Sequence, residues 1–400
     1  MQSFGDVGSV RAHNCSLVLN ELRSSALSRA ELARRTGLSR STVSTLIDYL
    51  IKLGLVEVNG GLHRGAGRPG TLLQLAGDYF FSIGIELGRS KTYLVGVDCH
   101  GRILARHGLS GINSTSPQAL LETIGETIRT VQESERQRRL IGIGVGVASP
   151  IDPAQPGYLS PTILPDWSGI DLCDVIGNAH QLPVFVDNDA NTGAMSEYWW
   201  SRREHELIFV KLGAGVGAGI ISGGELHHGQ AGTAGEIGHL SIDINGPKCE
   251  CGQRGCLVKY IGKSALAEMG KQLSLGTDDG ILSRISIEAS RGQEQAQAFR
   301  TQIIERFATG LISVINMFAP NAVYVSGSTD ALDATFFDQL ESVIASKTRL
   351  TGQGLICVRP AQFGRDAVAI GAGAMVFKRS FADVRIVEHA YKKSHAANMN

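Results

Sequence analysis

Two stretches far apart in the chain share one pattern, and this repetition constrains the fold more than any other feature. "YFFSIGIELGRSKTYLVGVDCHGRILARHG" (79–108) and "ELIFVKLGAGVGAGIISGGELHHG" (206–229) each read as strand, glycine turn, strand. In both, β-branched and aromatic residues fill the runs and glycine breaks them, the mark of a hairpin. A chain that repeats this unit is expected to build two related α/β lobes facing a cleft, with polar residues at the strand ends gathered at its mouth. Between the hairpins, a helix over about Pro117 to Arg136 leads to the buried strand "IGIGVGVA", and "PVFVDNDA" ends another strand in acid and amide side chains. With 400 residues, 43% of them apolar, there is material for two or three globular cores.

Residues 1–75 have a different character. They carry nine Lys and Arg against five acids, although the whole chain balances 38 against 38. Within "SRAELARRTGLSRSTVSTLIDYLIKLGL", Ser28 and Glu31 form a capping box that starts a short helix ending at Gly37. Ser39 then caps a second helix whose apolar residues Val43, Leu46, Ile47, Leu50 and Ile51 share one face. Arg40, Ser41, Thr42, Ser44 and Thr45 remain at its start and, with Ser39 itself, are placed as the first turns of a recognition helix are placed against base edges and phosphates. "LVEVNGGLHRGAGRPGTLLQL" sets two β-like runs around a basic, glycine-rich tip with Arg64 and Arg68, a wing suited to a narrow minor groove. An ordinary packed helix pair followed by a glycine-rich linker is the alternative reading.

The N-terminus has no basic segment followed by an apolar one, and no apolar run approaches the roughly 20 residues of a spanning helix, so a cytoplasmic protein is expected. Seven cysteines in a reducing compartment argue against a disulfide framework; Cys15, Cys99, Cys173 and Cys357 are scattered and read as buried thiols.

Three segments carry chemistry. In "VDNDAN", Asp189 stands where a strand meets a helix and could act as a general base, with Asn188 and Asn191 bonding neighbouring hydroxyls; a helix N-cap explains the same residues equally well. The amides of "GAGVGAG" could cradle phosphate, or the glycines could serve only as a turn. Cys249-x-Cys251-x4-Cys256 with His239 upstream supplies three thiolates and one imidazole, the ligand set of a closed, structural zinc site; reduced, unligated cysteines are the alternative.

"AGEIGH" followed by "CECGQRGCL", together with "VDNDAN", "LGAGVGAGIISGGELHHG", "SPTILPDW" and the winged helix-turn-helix ahead of them, resembles the ROK family of repressors and sugar kinases over nearly the whole chain. The resemblance implies an all-α winged helix-turn-helix over 1–75 and, over 76–400, a two-lobed sugar-binding domain of the actin-like, ribonuclease H-like ATPase fold with a structural zinc loop. It implies zinc held by His239, Cys249, Cys251 and Cys256, and sugar hydroxyls met by Asn188, Asp189, Glu236 and His239, Asp189 matching the base of the kinase members. Departures accompany it. Where those members read G-x-D-x-G-G-T-K, this chain reads "GIELGRSK", with Glu86, Arg89 and Ser90 substituted. Ala214 replaces a threonine, "VSGST" departs from a paired glycine near the adenosine, and Val258 replaces a sugar-contacting glutamate. A sugar-responsive repressor, working as a homodimer or tetramer on a double-stranded operator, is the expected function. An ATP-dependent sugar kinase and a constitutive DNA binder with a dead ligand site are the alternatives.

Overall fold

The computed structural model describes residues 7–63, 70–200, 205–278, 280–327, 332, 334–348 and 356–388. They divide into two compact units, one drawn from Met1–Val145, Asp166–Val186 and Ala372–Asn400, the other from Gly146–Pro165 and Asp187–Gly371.

The first unit opens with α1 (Val7–Ser24), β1 (Leu27–Ser28), α2 (Arg29–Thr36), α3 (Arg40–Lys52), β2 (Val56–His63) and β3 (Gly70–Leu75). The capping box forms as the sequence predicts: the Glu31 amide donates to Ser28 Oγ at 3.3 Å and the Ser28 amide to Glu31 Oε2 at 2.9 Å. Val43, Leu46, Ile47 and Leu50 of α3 are buried, each contributing about 1.5–3 kcal/mol. Ile51, expected on the same face, is 38% exposed. The two β-like runs are the strands β2 and β3, which pair antiparallel in a sheet of order β1-β3-β2. The wing tip, with Arg64 and Arg68, lies outside the described residues. Sequence reading missed α1, which buries Cys15, Val18, Leu19 and Leu22.

The same unit continues with β4 (Phe80–Leu87), β5 (Lys91–Asp98), β6 (Ile103–Ser110), α4 (Pro117–Ser134), β7 (Arg139–Val147), α5 (Leu172–His180) and β8 (Val184–Asn188), the last two residues of β7 and of β8 belonging to the second unit. Ser116 caps α4 with Pro117 just inside, a position where proline's missing amide costs nothing. The strands run in the order β6-β5-β4-β7-β8.

The second unit holds α6 (Asp189–Trp200), β9 (Leu207–Leu212), β10 (Val216–Ser222), β11 (Glu225–Leu226), α7 (Val258–Ile261), α8 (Lys263–Gln272), α9 (Ile281–Ser290), α10 (Glu294–Phe318), β12 (Ala322–Gly327), α11 (Ala334–Lys347) and β13 (Cys357–Pro360); α12 (Ala367–Ala382) begins here and ends in the first unit. Its sheet order, β11-β10-β9-β12-β13, repeats that of the first, as the repeated hairpins lead one to expect. Ile303, Phe307 and Leu311 of α10 pack in one core with Val210 of β9 and Val323 of β12. Helix α6 starts hard against the sheet, because a Cβ at Gly219 would lie 2.2 Å from the Ala190 carbonyl oxygen. That close approach fixes where Asp189 sits.

Candidate nucleic-acid and ligand sites

At the start of α3, Ser39 Oγ accepts from the Thr42 amide at 3.1 Å and lies 2.8 Å from the hydroxyls of Ser41 and Thr42. Ser39 is therefore the cap, and its hydroxyl is engaged within the helix start. Arg40, Ser41 and Thr45 stand exposed, while Thr42 and Ser44 are half-buried. Thr45 donates to the Ser41 carbonyl at 3.1 Å, which leaves its oxygen able to accept. Among the described residues Arg40 has no ion-pair partner, unlike Arg29, which meets Asp48 at 2.7 Å, and Arg35, which meets Glu21 at 3.3 Å.

In the second unit the segment 187–191 contains the N-cap that "VDNDAN" offered as one of its two readings. Asn188 Oδ1 accepts from the amides of Ala190 at 2.8 Å and Asn191 at 3.3 Å, so Asn188 is the N-cap of α6. Its Nδ2 donates to the Ser149 carbonyl at 3.1 Å. Asn191 turns inward, 3% exposed, and donates to Asp187 Oδ1 at 2.8 Å rather than facing a ligand. The other oxygen of Asp187, itself buried, lies 2.7 Å from His228 Nε2. Asp189 follows the cap with its side chain 13% exposed, and Lys211 Nζ sits 2.7 Å from its Oδ2. Glu236 is exposed; the protein packed about its carboxyl raises its pKa, His239 opposes that shift and Asp189 adds to it. Asp189, Glu236 and His239 thus share one electrostatic neighbourhood. Lys211 and His228 were missed from sequence, though a lysine inside the otherwise apolar run "LIFVKL" was a visible signal.

His239, Cys249, Cys251 and Cys256 come together with all their ligand atoms within 4.8 Å of one another. Cys249 Sγ lies 3.6 Å from His239 Nδ1 and Cys251 Sγ 3.6 Å from Cys256 Sγ. Those separations fit the edges, about 3.7 Å, of a tetrahedron whose metal–sulfur bonds are ~2.3 Å. Antiparallel bridges Ser241–Cys256 and Lys248–Arg254 fold the loop back on itself and bring the thiols to one point. A hydrogen bond from the Gln253 backbone draws the Cys251 thiol down to about 7, and burial pushes Cys256 up to about 12. The cluster can hold a metal ion, which would take the buried sulfur as thiolate and remove that penalty. The other four cysteines are free thiols; Cys15 and Cys99 are buried as expected, whereas Cys173 and Cys357 are only half-buried. Val258, at the start of α7, packs against the unit's apolar core.

A winged helix joined to a duplicated α/β domain with a Cys3His loop places the chain in a known class: it belongs to the ROK family, whose pattern matches residues 82–379, and residues 13–68 match the MarR family. Among its relatives, the xylose repressor of Bacillus spizizenii is 32% identical over 391 residues, covering 94% of this chain and 97% of the relative. A solved ROK family transcriptional regulator, a homologue of the Escherichia coli MLC protein, has the same fold with a TM-score of 0.79 at 20% identity, covering 96% of this chain and 100% of that one. A ROK family glucokinase from Streptomyces griseus, in complex with glucose and AMPPNP, aligns with a TM-score of 0.61 at 26% identity over 74% of this chain and 98% of its own. No helix among the described residues is long and apolar enough to cross a membrane.

Proposed function

We propose that this chain is a sugar-responsive transcriptional repressor that binds double-stranded DNA through its winged helix and a small sugar through its second unit. The observation that carries the reading is the capped α3, presenting Arg40, Ser41 and Thr45 to solvent, in one chain with Asp189, held by Lys211 at 2.7 Å at the start of α6. Phosphate contacts from the basic N-terminal domain would supply most of the affinity, and α3 with the wing arginines Arg64 and Arg68 the sequence preference. One winged helix makes a small interface, so two copies would read two half-sites, as a homodimer or within a tetramer. The effector would be a sugar, in keeping with the xylose repressor to which the chain is 32% identical. Sugar binding regulates only if the sugar prefers one of two states that differ in DNA affinity.

The ion in the cysteine cluster would be zinc, held by His239, Cys249, Cys251 and Cys256. With four protein ligands it would leave no position for water, so it would brace the loop that follows Glu236 and take no part in chemistry. Phosphoryl transfer is not part of this reading. Glu86, Arg89 and Ser90 alter the first phosphate loop, Ala214 removes a hydroxyl from the second, and Lys211 occupies one oxygen of Asp189. A DNA-binding regulator with reduced thiols works in the cytoplasm.

Fluorescence anisotropy of the full chain on DNA from upstream of its own coding region tests the DNA arm. Arg40→Ala is expected to weaken binding about 10-fold and to reduce the salt dependence by about one charge, in line with the loss of one specific arginine contact. Unchanged affinity and unchanged salt slope would remove α3 from the interface. A coupled ADP-release assay over the same sugars addresses the kinase reading, and turnover abolished by Asp189→Asn would restore it.

A further inference from the structure

Lys211 lies one residue before the motif LGAGVGAGIISGGELHHG, and its environment is built around it. Its neighbours on β9, Leu207, Ile208, Phe209, Val210 and Leu212, are all 3% exposed or less. An ammonium in such a strand is costly unless it is paired. The residues in register beside it are Gly217 on β10 and Ser326 on β12, both small, so the strands on either flank leave room for a long side chain. Two residues back on the same face, Phe209 reaches α6 so closely that a Cβ at Gly193 would lie 2.1 Å from its ring. That face of β9 therefore looks at α6, and Lys211 is directed at the first turn of the helix, where it meets Asp189 Oδ2 at 2.7 Å. Among the described residues Asp189 Oδ1 has no hydrogen-bond partner.

We propose that Lys211 is a positioning and specificity residue of the effector site: it fixes the Asp189 carboxylate with one oxygen occupied and the other presented as an acceptor for a hydroxyl of a neutral sugar. The proposal rests on the reading of this unit as sugar-binding. With Lys211 on one oxygen, the carboxylate's charge is met inside the protein. The remaining oxygen binds a hydroxyl as an acceptor and no proton need leave the sugar. Anionic sugars are disfavoured, because the ammonium is already committed to Asp189 and the neighbouring Glu236 carboxyl stands exposed.

The test is isothermal titration calorimetry of the full-length, metal-loaded protein with D-xylose and D-glucuronate as probes, each variant checked for metal content and Tm. Lys211→Met should lose ~10–100-fold in D-xylose affinity, the range for a charge-assisted hydrogen bond. Lys211→Arg should recover most of that loss. In an Asp189→Asn background, Lys211→Met should change affinity by less than ~3-fold, because the lysine acts through the aspartate. If Lys211→Met fails to fold, Lys211→Gln takes its place with the same expectations. D-xylose affinity unchanged in the folded variant, or losses that add fully in the double variant, would overturn the assignment. D-glucuronate bound more tightly than D-xylose by the native protein, and lost with Lys211, would make the lysine a direct anion ligand and overturn it too. If the native protein binds neither probe, the titration is repeated over a panel of neutral sugars, and binding of none of them would sink the sugar reading, and the role of Lys211 with it.

Discussion

The two five-stranded sheets have the same strand order, yet two residues before the turn glycine one carries Glu86 and the other Lys211. Their turns differ as much. At the β4–β5 turn, the carbonyls of Gly88 and Arg89 accept from the amides of Ile112 and Asn113 at 3.0 Å each, and a Cβ on Gly88 would lie 2.3 Å from the Lys91 carbonyl oxygen. That glycine is required by the protein's own packing. At the β9–β10 turn, a Cβ on Gly213 or Gly215 would meet nothing within 4 Å, and neither residue has a positive φ. No steric demand of the fold explains those glycines, so what they leave open is backbone that another molecule can approach. Both turns are hydrogen-bonded to the protein, the second through the Gly213 carbonyl, which accepts from the Lys263 amide at 3.2 Å, but the first is sterically closed and the second, with Lys211 and Asp189 beside it, is not. The fold is common to both copies, and function is to be sought where they diverge.

The Cys3His loop, which among the described residues has a counterpart nowhere in the first unit, sharpens the contrast most. Chelation, or Cys256→Ser at a fully buried proposed ligand, should release the proposed zinc and lower Tm by on the order of 10 °C, seen by metal analysis with differential scanning calorimetry. Cys99→Ser, at a buried thiol of the first unit, should leave the metal in place. Gly88→Ala should cost about 1–3 kcal/mol in denaturant unfolding, since the added methyl meets backbone that cannot move aside. Lys211→Met should weaken sugar binding as described above, whereas Glu86→Gln should shift it by less than ~3-fold; equal effects would erase the distinction between the sheets. The smallest effect belongs to Gly215→Ala, expected within about 0.5 kcal/mol of the native stability, and a loss as large as that of Gly88→Ala would show that the second turn is not open.

Much of this was legible from local spacing. The capping box of Ser28 and Glu31, the Ser39 cap and the Cys3His cluster depend on residues close in sequence, and each formed as the spacing required. The duplication was visible because a hairpin is a local object. What escaped depended on distant partners. Helix α1 has a weak apolar pattern, and it is the packing of Cys15, Val18, Leu19 and Leu22 that defines its inner face. Ile51 continues the buried stripe of α3 on paper, but the helix ends at Lys52 and leaves it 38% exposed. Asn191 looked as available as Asn188 until the buried Asp187 claimed its amide. The pairing of Lys211 with Asp189 joins residues 22 positions apart across two elements, and no motif records it.

The central claim, DNA binding governed by a sugar, is tested most directly by a mobility-shift titration of the purified protein on DNA from upstream of its own coding region, repeated with a panel of neutral sugars. A saturable shift that one of those sugars releases, with no ATP present, is the predicted result. A shift indifferent to every sugar, or no shift at all from a metal-loaded, folded protein, would contradict it.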